Sequence, residues 1–131
     1  MIVLDTHALV WWVSDVGRLS ARAKRAIDRC LADAPLVVST ITIFEVATAI
    51  RRGRLELNAS PEQWIADLGS LPELRFEPLS VAIATLAGSL DEAFPGDPAD
   101  RVIVATALAL GAELVSADRR LRAAPQLSVV W

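Results

Sequence analysis

The sequence predicts an α/β fold, a three-layer α/β/α sandwich around a mostly parallel sheet of about five strands. Short apolar runs alternate along the chain with segments of helical periodicity, as in proteins that join parallel strands through helices. The apolar runs are also continuous rather than alternating with polar residues. This pattern is typical of strands that are covered by helices on both faces of a sheet.

The first half of the chain contains two strand-like runs and several helix signals. Residues 2–4 are predicted to form a buried strand, and a helix follows directly. Ser20 is placed to cap a second helix that runs to about residue 34, after which residues 36–38 form a second strand. A third helical pattern extends from about residue 42 to residue 52. Gly53 follows it, where a left-handed C-terminal cap is expected.

The second half repeats the alternation. Ser60 followed by proline is a helix start, and Ser80 starts another helix over residues 81–90. A loop then leads to a helix that Gly111 ends. The remaining elements are a weaker strand over 74–79, the loop at 91–97, the helix over 98–110, and strands at 113–116 and 127–130.

Size and composition indicate one compact domain over residues 1–131, with 53% apolar residues to build its core. Cys30 is the only cysteine, so no internal disulfide can form, which favours a reducing, cytoplasmic location. We find no signal peptide and no apolar run of about 20 residues, so no membrane association is expected. The net charge is −3. A protein that binds nucleic acid only through phosphate contacts is usually basic, so the acids need another role.

Acidic residues follow the predicted strands. Asp5 comes directly after the first strand, and Asp118 lies two residues past the fourth. Glu45 lies in the helix after the second strand, and Asp100 lies in the first turn of the helix that leads to the fourth. In open parallel sheets, ligands bind beyond the carboxyl ends of the strands. Carboxylates gathered there repel one another unless cations neutralise them, and oxygen-only ligands select Mg²⁺ or Mn²⁺ rather than Zn²⁺.

Each acid also has an ordinary structural interpretation. Thr42 and Glu45 have the spacing of a capping box, which for Glu45 taken alone is the favoured interpretation. Asp97 and Asp100 suit a helix start, and Asp118 suits the cap of a short helix. The metal-site prediction therefore depends on the joint placement of the acids. Three further residues are candidates for orienting the ligands or a metal-bound water, namely Thr6, Ser116 and Asp97.

Four segments resemble the PIN-domain family in order and spacing. Residues 2–7 (IVLDTH) resemble its opening strand with Asp, and residues 38–45 (VSTITIFE) resemble its strand and helix with Glu. Residues 97–107 (DPADRVIVATA) and 114–121 (LVSADRRL) resemble the third and fourth segments. Together they span nearly the whole chain, and the likeness is closest to VapC-like toxins, compact ribonucleases of type II toxin–antitoxin systems.

The resemblance implies a fold, an activity and partners. It implies a metal-dependent endoribonuclease in which Asp5, Glu45, Asp100 and Asp118 hold Mg²⁺, with Mn²⁺ as a substitute. It also implies an RNA substrate, a homodimer, and a small antitoxin protein whose tail occupies the active-site groove. The match favours Asp100 over Asp97 as the ligand on its helix, although either could face the metal.

Other functions fit parts of the sequence. A haloacid dehalogenase-type phosphatase also uses an Asp after its first strand, but a second Asp is expected where His7 stands. A PIN-type ribonuclease of RNA processing without an antitoxin remains open. So does a PIN-like module that binds a partner without catalysis, against which the complete acid set argues.

Several arginines lie close to the candidate ligands. Arg101, Arg119 and Arg120 adjoin Asp100 and Asp118 in the sequence and are candidates for guiding the RNA backbone, because guanidinium groups donate paired hydrogen bonds to phosphate. A second group, Arg51, Arg52 and Arg54, ends the helix that carries Glu45. For this group, favourable charge at a helix end is an equally good explanation.

Overall fold

The computed structural model describes all residues from Met1 to Trp131 and contains one sheet of five strands. The strands are β1 (Ile2–Leu4), β2 (Leu36–Ser39), β3 (Leu74–Glu77), β4 (Glu113–Val115) and β5 (Val129–Val130). All neighbouring strands are parallel, in the order β3-β2-β1-β4-β5. The predicted parallel α/β architecture is confirmed.

Six α-helices connect the strands: α1 (Thr6–Ser14), α2 (Ala21–Leu31), α3 (Thr40–Arg51), α4 (Pro61–Gly69), α5 (Val81–Ser89) and α6 (Pro98–Leu110). The predicted caps form, since the side chains of Ser20, Ser60 and Ser80 each accept a backbone N–H of the first turn. Gly53 and Gly111 follow α3 and α6 with φ of 69° and 62°, the left-handed conformation that glycine adopts without strain. The longest helix, α6, is far shorter than the roughly 20 apolar residues that a membrane-spanning helix needs.

The start of α3 corrects one expectation. The helix begins at Thr40, and its cap is Ser39, whose hydroxyl accepts the Ile41 N–H at 3.3 Å. Thr42 is therefore inside the helix and fully buried, so it forms no capping box with Glu45. The capping-box interpretation of Glu45 was wrong, because Ser39, three residues before Thr42, already caps the helix.

The sheet lies between two helical layers, as successive strand residues point to opposite faces. On one face, Leu4 and Val38 pack in a core with residues of α1, α2, α3 and α4. On the other face, Val3 and Leu114 pack against α6. Helix α5 covers the outer side of α6 through Ile83 and Ala87. Side chains on both faces of the sheet thus hold its strands rigidly in register.

The topology defines where ligands can bind. The chain places β2 and β3 on one side of β1, and β4 and β5 on the other, so the winding direction changes between β1 and β4. The segments that leave β1, β2 and β4 all emerge at the carboxyl edge of the sheet, where this change opens a crevice.

Candidate active site

Five carboxylates converge at the carboxyl edge of the sheet. Asp5 follows β1, Glu45 projects from α3, Asp97 and Asp100 lie at the start of α6, and Asp118 follows β4. Carboxylate oxygens of Glu45, Asp97 and Asp100 lie within 4.8 Å of one another. Asp5 and Asp118 are close enough to repel this group and each other electrostatically. We call these five residues the acid cluster.

Asp5 is held in place by neighbours on two elements. Its carboxylate accepts the Ala8 N–H at 2.8 Å, which caps α1, and it is hydrogen-bonded to the Ser116 side chain. The fully buried Ser116 hydroxyl oxygen also accepts the Asp118 N–H at 3.1 Å. Burial raises the pKa of Asp5, although these hydrogen bonds oppose the rise. Ser116 thus connects Asp5 to the segment that carries Asp118, and its role in orienting a metal ligand stays a prediction.

Glu45 has a similar polar support. The Thr6 hydroxyl donates to Oε1 of Glu45 and lies 3.2 Å from the buried Thr42 hydroxyl oxygen. Burial raises the pKa of Glu45, and the negative charges of Asp97 and Asp5 raise it further. Thr6 therefore fixes the direction of a carboxylate whose ionised form the surroundings disfavour.

The start of α6 adds two acids. The Asp97 side chain accepts the N–H groups of Ala99 and Asp100 and so caps the helix. It also lies against Glu45 and Asp100, which leaves both Asp97 and Asp100 facing the cluster. Burial, with the charges of Asp97 and Glu45, raises the pKa of Asp100 to about 6. Ionisation of this carboxyl group at neutral pH therefore has an electrostatic cost.

Asp118 differs because it has a positive partner. Arg120 donates from Nε and a terminal nitrogen to both carboxylate oxygens of Asp118, the shortest contact being 2.7 Å. The same terminal nitrogen lies 3.5 Å from Asp100. These hydrogen bonds lower the pKa of Asp118 and raise that of Arg120. Arg120 thus stands between two of the predicted metal ligands.

The acid cluster fits a hard divalent cation. Its donors are carboxylate oxygens, with hydroxyl groups behind them, and the chain's single cysteine, Cys30, is not among them. Burial, and after it the charges of neighbouring carboxylates, raises the pKa values of three of its carboxyl groups, so a bound cation would favour their ionised forms. Mg²⁺ and Mn²⁺ favour such oxygen ligands. Glu45, Asp97 and Asp100 provide the tightest grouping, with Asp5 and Asp118 beside it.

Arg101 has a different environment from the one expected for an RNA contact. Its guanidinium donates to backbone carbonyls of Ala87, Asp91, Pro95 and Leu90. These contacts tie the end of α5 and the following loop to α6. Arg101 accordingly organises the segment that leads to Asp97, and its donors are directed at the protein backbone rather than at an open surface. Arg119, in contrast, is exposed.

A groove of about 720 Å³ leads away from the acid cluster, and it contains residues that the sequence alone did not assign to the site. Glu45 and Asp97 line it near the cluster, and His7, Trp11 and Phe44 line its walls. Its basic residues are Arg18, Arg51, Arg52 and Arg54. The position of the last three at the end of the Glu45 helix was a usable signal. Nothing in the local sequence brings Arg18 to them.

Comparison with known proteins gives a consistent result. Residues 2–127 match the family described as the PIN domain. The chain is 38% identical to ribonuclease VapC22 of Mycobacterium tuberculosis, in an alignment that covers 99% of this chain and 98% of that protein.

Solved structures with the same fold include a crystal structure of VapBC2 from Rickettsia felis bound to a DNA fragment from its promoter, with a TM-score of 0.70 and 18% identity. That match covers 98% of this chain and 97% of the other. A toxin–antitoxin complex from Klebsiella pneumoniae matches with a TM-score of 0.65 and 22% identity, covering 97% and 95%. At these identities the structural likeness concerns the fold.

Proposed function

The chain belongs to the PIN domain family, and we propose that it is a metal-dependent endoribonuclease that acts as the toxin of a type II toxin–antitoxin pair. The observation that carries the proposal is the acid cluster, in which burial and neighbouring negative charge raise the pKa values of Asp5, Glu45 and Asp100 at one edge of the sheet. A site of this kind is costly without a cation and suits phosphodiester hydrolysis with one.

Asp5, Glu45, Asp100 and Asp118 are the proposed metal ligands, and Asp97 joins them through its place beside Glu45 and Asp100. When bound, Mg²⁺ or Mn²⁺ supplies positive charge at phosphorus and lowers the pKa of a coordinated water. The protein contributes the orientation of the ligands: Ser116 holds Asp5, and Thr6 holds Glu45.

RNA positioning is the task of the arginines. Arg119 is exposed beside Asp118, and Arg51, Arg52 and Arg54 line the groove that starts at Glu45. Their guanidinium groups suit phosphate oxygens. Arg120 pairs with Asp118 and Asp100 through Nε and one terminal nitrogen, and metal binding to those carboxylates would free these donors for phosphate. Local positive charge thus offsets the overall net charge of −3.

The proposed biological role rests on the relatives. The curated relative is named a ribonuclease VapC, and one structural neighbour is part of a toxin–antitoxin complex. We therefore propose a small antitoxin protein as partner, and we propose a homodimer on the family resemblance alone. Co-expression with the product of a neighbouring small gene, followed by light scattering of the purified species, tests both.

Metal dependence of RNA cleavage tests the activity. We expect the purified chain to cut single-stranded RNA with Mg²⁺ or Mn²⁺, to stop with EDTA, and to recover poorly with Zn²⁺, because the site offers no nitrogen or sulfur ligands beyond His7. Asp33→Asn, which removes an exposed acid elsewhere on the surface, serves as the control for net charge. Cleavage that persists in EDTA, or that only Zn²⁺ restores, would contradict the proposal. An absence of cleavage under all conditions would favour a non-catalytic binding module.

A further inference from the structure

The groove beside the acid cluster has aromatic walls, which phosphate binding alone does not require. His7 and Trp11 lie one helical turn apart on α1, with ring centroids 5.6 Å apart. Phe44, next to Glu45 on α3, lines the same groove with 66% of its surface exposed. A single exposed phenylalanine is ordinary, but here it shares a concave surface with two further rings.

Trp11 is held in a fixed orientation by its neighbours. The Arg18 guanidinium carbon lies 4.8 Å from the centroid of its ring, within the range of a cation–π interaction. The Trp131 ring packs against it at 5.5 Å. The adjacent Trp12 instead lines a small pocket with Leu19 and Ile27, on a different side of α1. Only one of the two consecutive tryptophans therefore belongs to the groove.

The charges along the groove indicate what binds there. Carboxylates stand at one end, where the proposed function places the bond to be cut, and Arg51, Arg52 and Arg54 provide positive charge along the rest. Aromatic rings flanked by guanidinium groups are the surface on which unpaired nucleobases stack while phosphates contact the charges. Paired bases in an A-form helix are stacked on each other and cannot reach such rings.

We propose that His7, Trp11 and Phe44 form a stacking site for an unpaired nucleobase of the RNA, next to the bond that the acid cluster cuts. This inference rests on the proposed ribonuclease function and adds to it a base-stacking site made of these three side chains. The arginines of the groove hold the backbone of the same strand.

Binding measurements on an Asp5→Asn background, which prevents cutting, test the stacking site. The ligands are a single-stranded RNA oligonucleotide, an abasic ribose-phosphate oligomer of equal length, and a duplex. Phe44→Ala and Trp11→Leu are each expected to weaken RNA binding on the order of 10-fold, because stacking contributes that much per base. Binding of the abasic oligomer should stay within about 2-fold, since its phosphates are unchanged. The parental groove should also prefer the single strand over the duplex.

Trp12→Leu is the matched control, because it removes a tryptophan from the same helix but not from the groove. Thermal melts verify that each variant is folded, and the exposed Phe44 and His7 supply variants that spare the core. Equal losses on RNA and on the abasic oligomer, or unchanged RNA binding, would overturn the stacking site. Unchanged RNA binding with weakened binding of a co-expressed protein would assign the groove to that partner instead.

Cleavage by the parental chain separates this inference from the proposed function. If the parental chain cuts RNA with Mg²⁺ but the variants bind RNA and the abasic oligomer equally weakly, the ribonuclease function is supported and the stacking site is rejected. If the parental chain cuts no RNA and the Asp5→Asn protein binds none, both fail together.

Discussion

On one side of the acid cluster Asp118 is hydrogen-bonded through both oxygens to Arg120, whereas on the other side Asp5 and Glu45 have only hydroxyl and amide donors. The pKa of Asp118 is lowered, while the pKa values of Asp5 and Glu45 are raised. The protein thus pairs its outer acid, Asp118, with an arginine and gives the inner acids, Asp5 and Glu45, no such partner. The difference identifies the inner acids as the place where an external cation is most needed.

The largest expected effect comes from an inner acid. Asp5→Asn should reduce RNA cleavage at least on the order of 100-fold, the upper range for residues that merely support metal ligands. Folding should be retained, because the Asn oxygen can still accept the Ala8 N–H that Asp5 accepts in α1. Removal of one repelling charge should also hold or raise the free energy of unfolding in metal-free buffer. Cleavage at the parental rate in equal Mg²⁺ would show that Asp5 is no ligand.

A smaller effect is expected at the outer acid, Asp118, where a variant of its arginine partner should gain metal affinity rather than lose it. Arg120→Gln removes the cation that bridges Asp118 and Asp100, so metal should bind several-fold more tightly and the metal-free protein should become less stable. Arg119→Gln, one residue earlier and exposed, is the matched control for charge. Calorimetric titration with Mn²⁺ and thermal melts in EDTA measure the two effects. Equal metal affinities in the two variants would show that Arg120 does not compete with the metal.

The smallest effect concerns pH. The folded-state pKa of Asp100 is raised from 3.8 to about 6, so its neutral form is favoured by folding. Its contribution to the free energy of unfolding should therefore fall as pH rises from about 4 to about 6 in metal-free buffer. The full shift corresponds to at most about 3 kcal/mol. Because 32% of the side chain is exposed to solvent, we expect a contribution of about 1 kcal/mol.

Asp100→Asn provides the comparison for this measurement, because the variant should lose that part of the pH dependence. Asp5 and Glu45 act in the same direction as Asp100 and will leave a residual slope. Asp118 acts oppositely: its lowered pKa confers stability above pH 3.8 that is lost as pH falls further, outside this window. If the free energy of unfolding changes equally with pH in the two proteins between pH 4 and 6, the pKa of Asp100 is not raised in the folded protein.

Much of this arrangement follows from local sequence. Strand ends and helix starts are marked by short-range patterns, so the positions of Asp5, Asp100 and Asp118 at one edge followed from the predicted order of elements. The Thr42–Glu45 spacing led to a wrong prediction of a capping box, because Ser39 also suits the N-cap position. The local sequence alone does not indicate which of the two residues caps the helix.

Side-chain direction was harder to predict than backbone position. Arg101 and Arg120 both adjoin acids in the sequence, yet one donates to carbonyls of the segment before α6 and the other to Asp118. Which of them reaches the site depends on how the loop before α6 folds back, a tertiary feature. Asp97 likewise lies in the cluster because α6 packs against α3. This packing is a tertiary contact that the local sequence does not predict.

We propose that the inner acids, Asp5 and Glu45, bind a divalent cation that RNA cleavage requires. Calorimetric titration of the parental protein and of Asp5→Asn with Mn²⁺, with no RNA present, tests it most directly. We expect saturable binding to the parental protein, a loss of affinity on the order of 10- to 100-fold in Asp5→Asn, and unchanged binding in the surface control Asp33→Asn. Equal Mn²⁺ affinities in the parental and Asp5→Asn proteins, or no saturable binding to either, would contradict it.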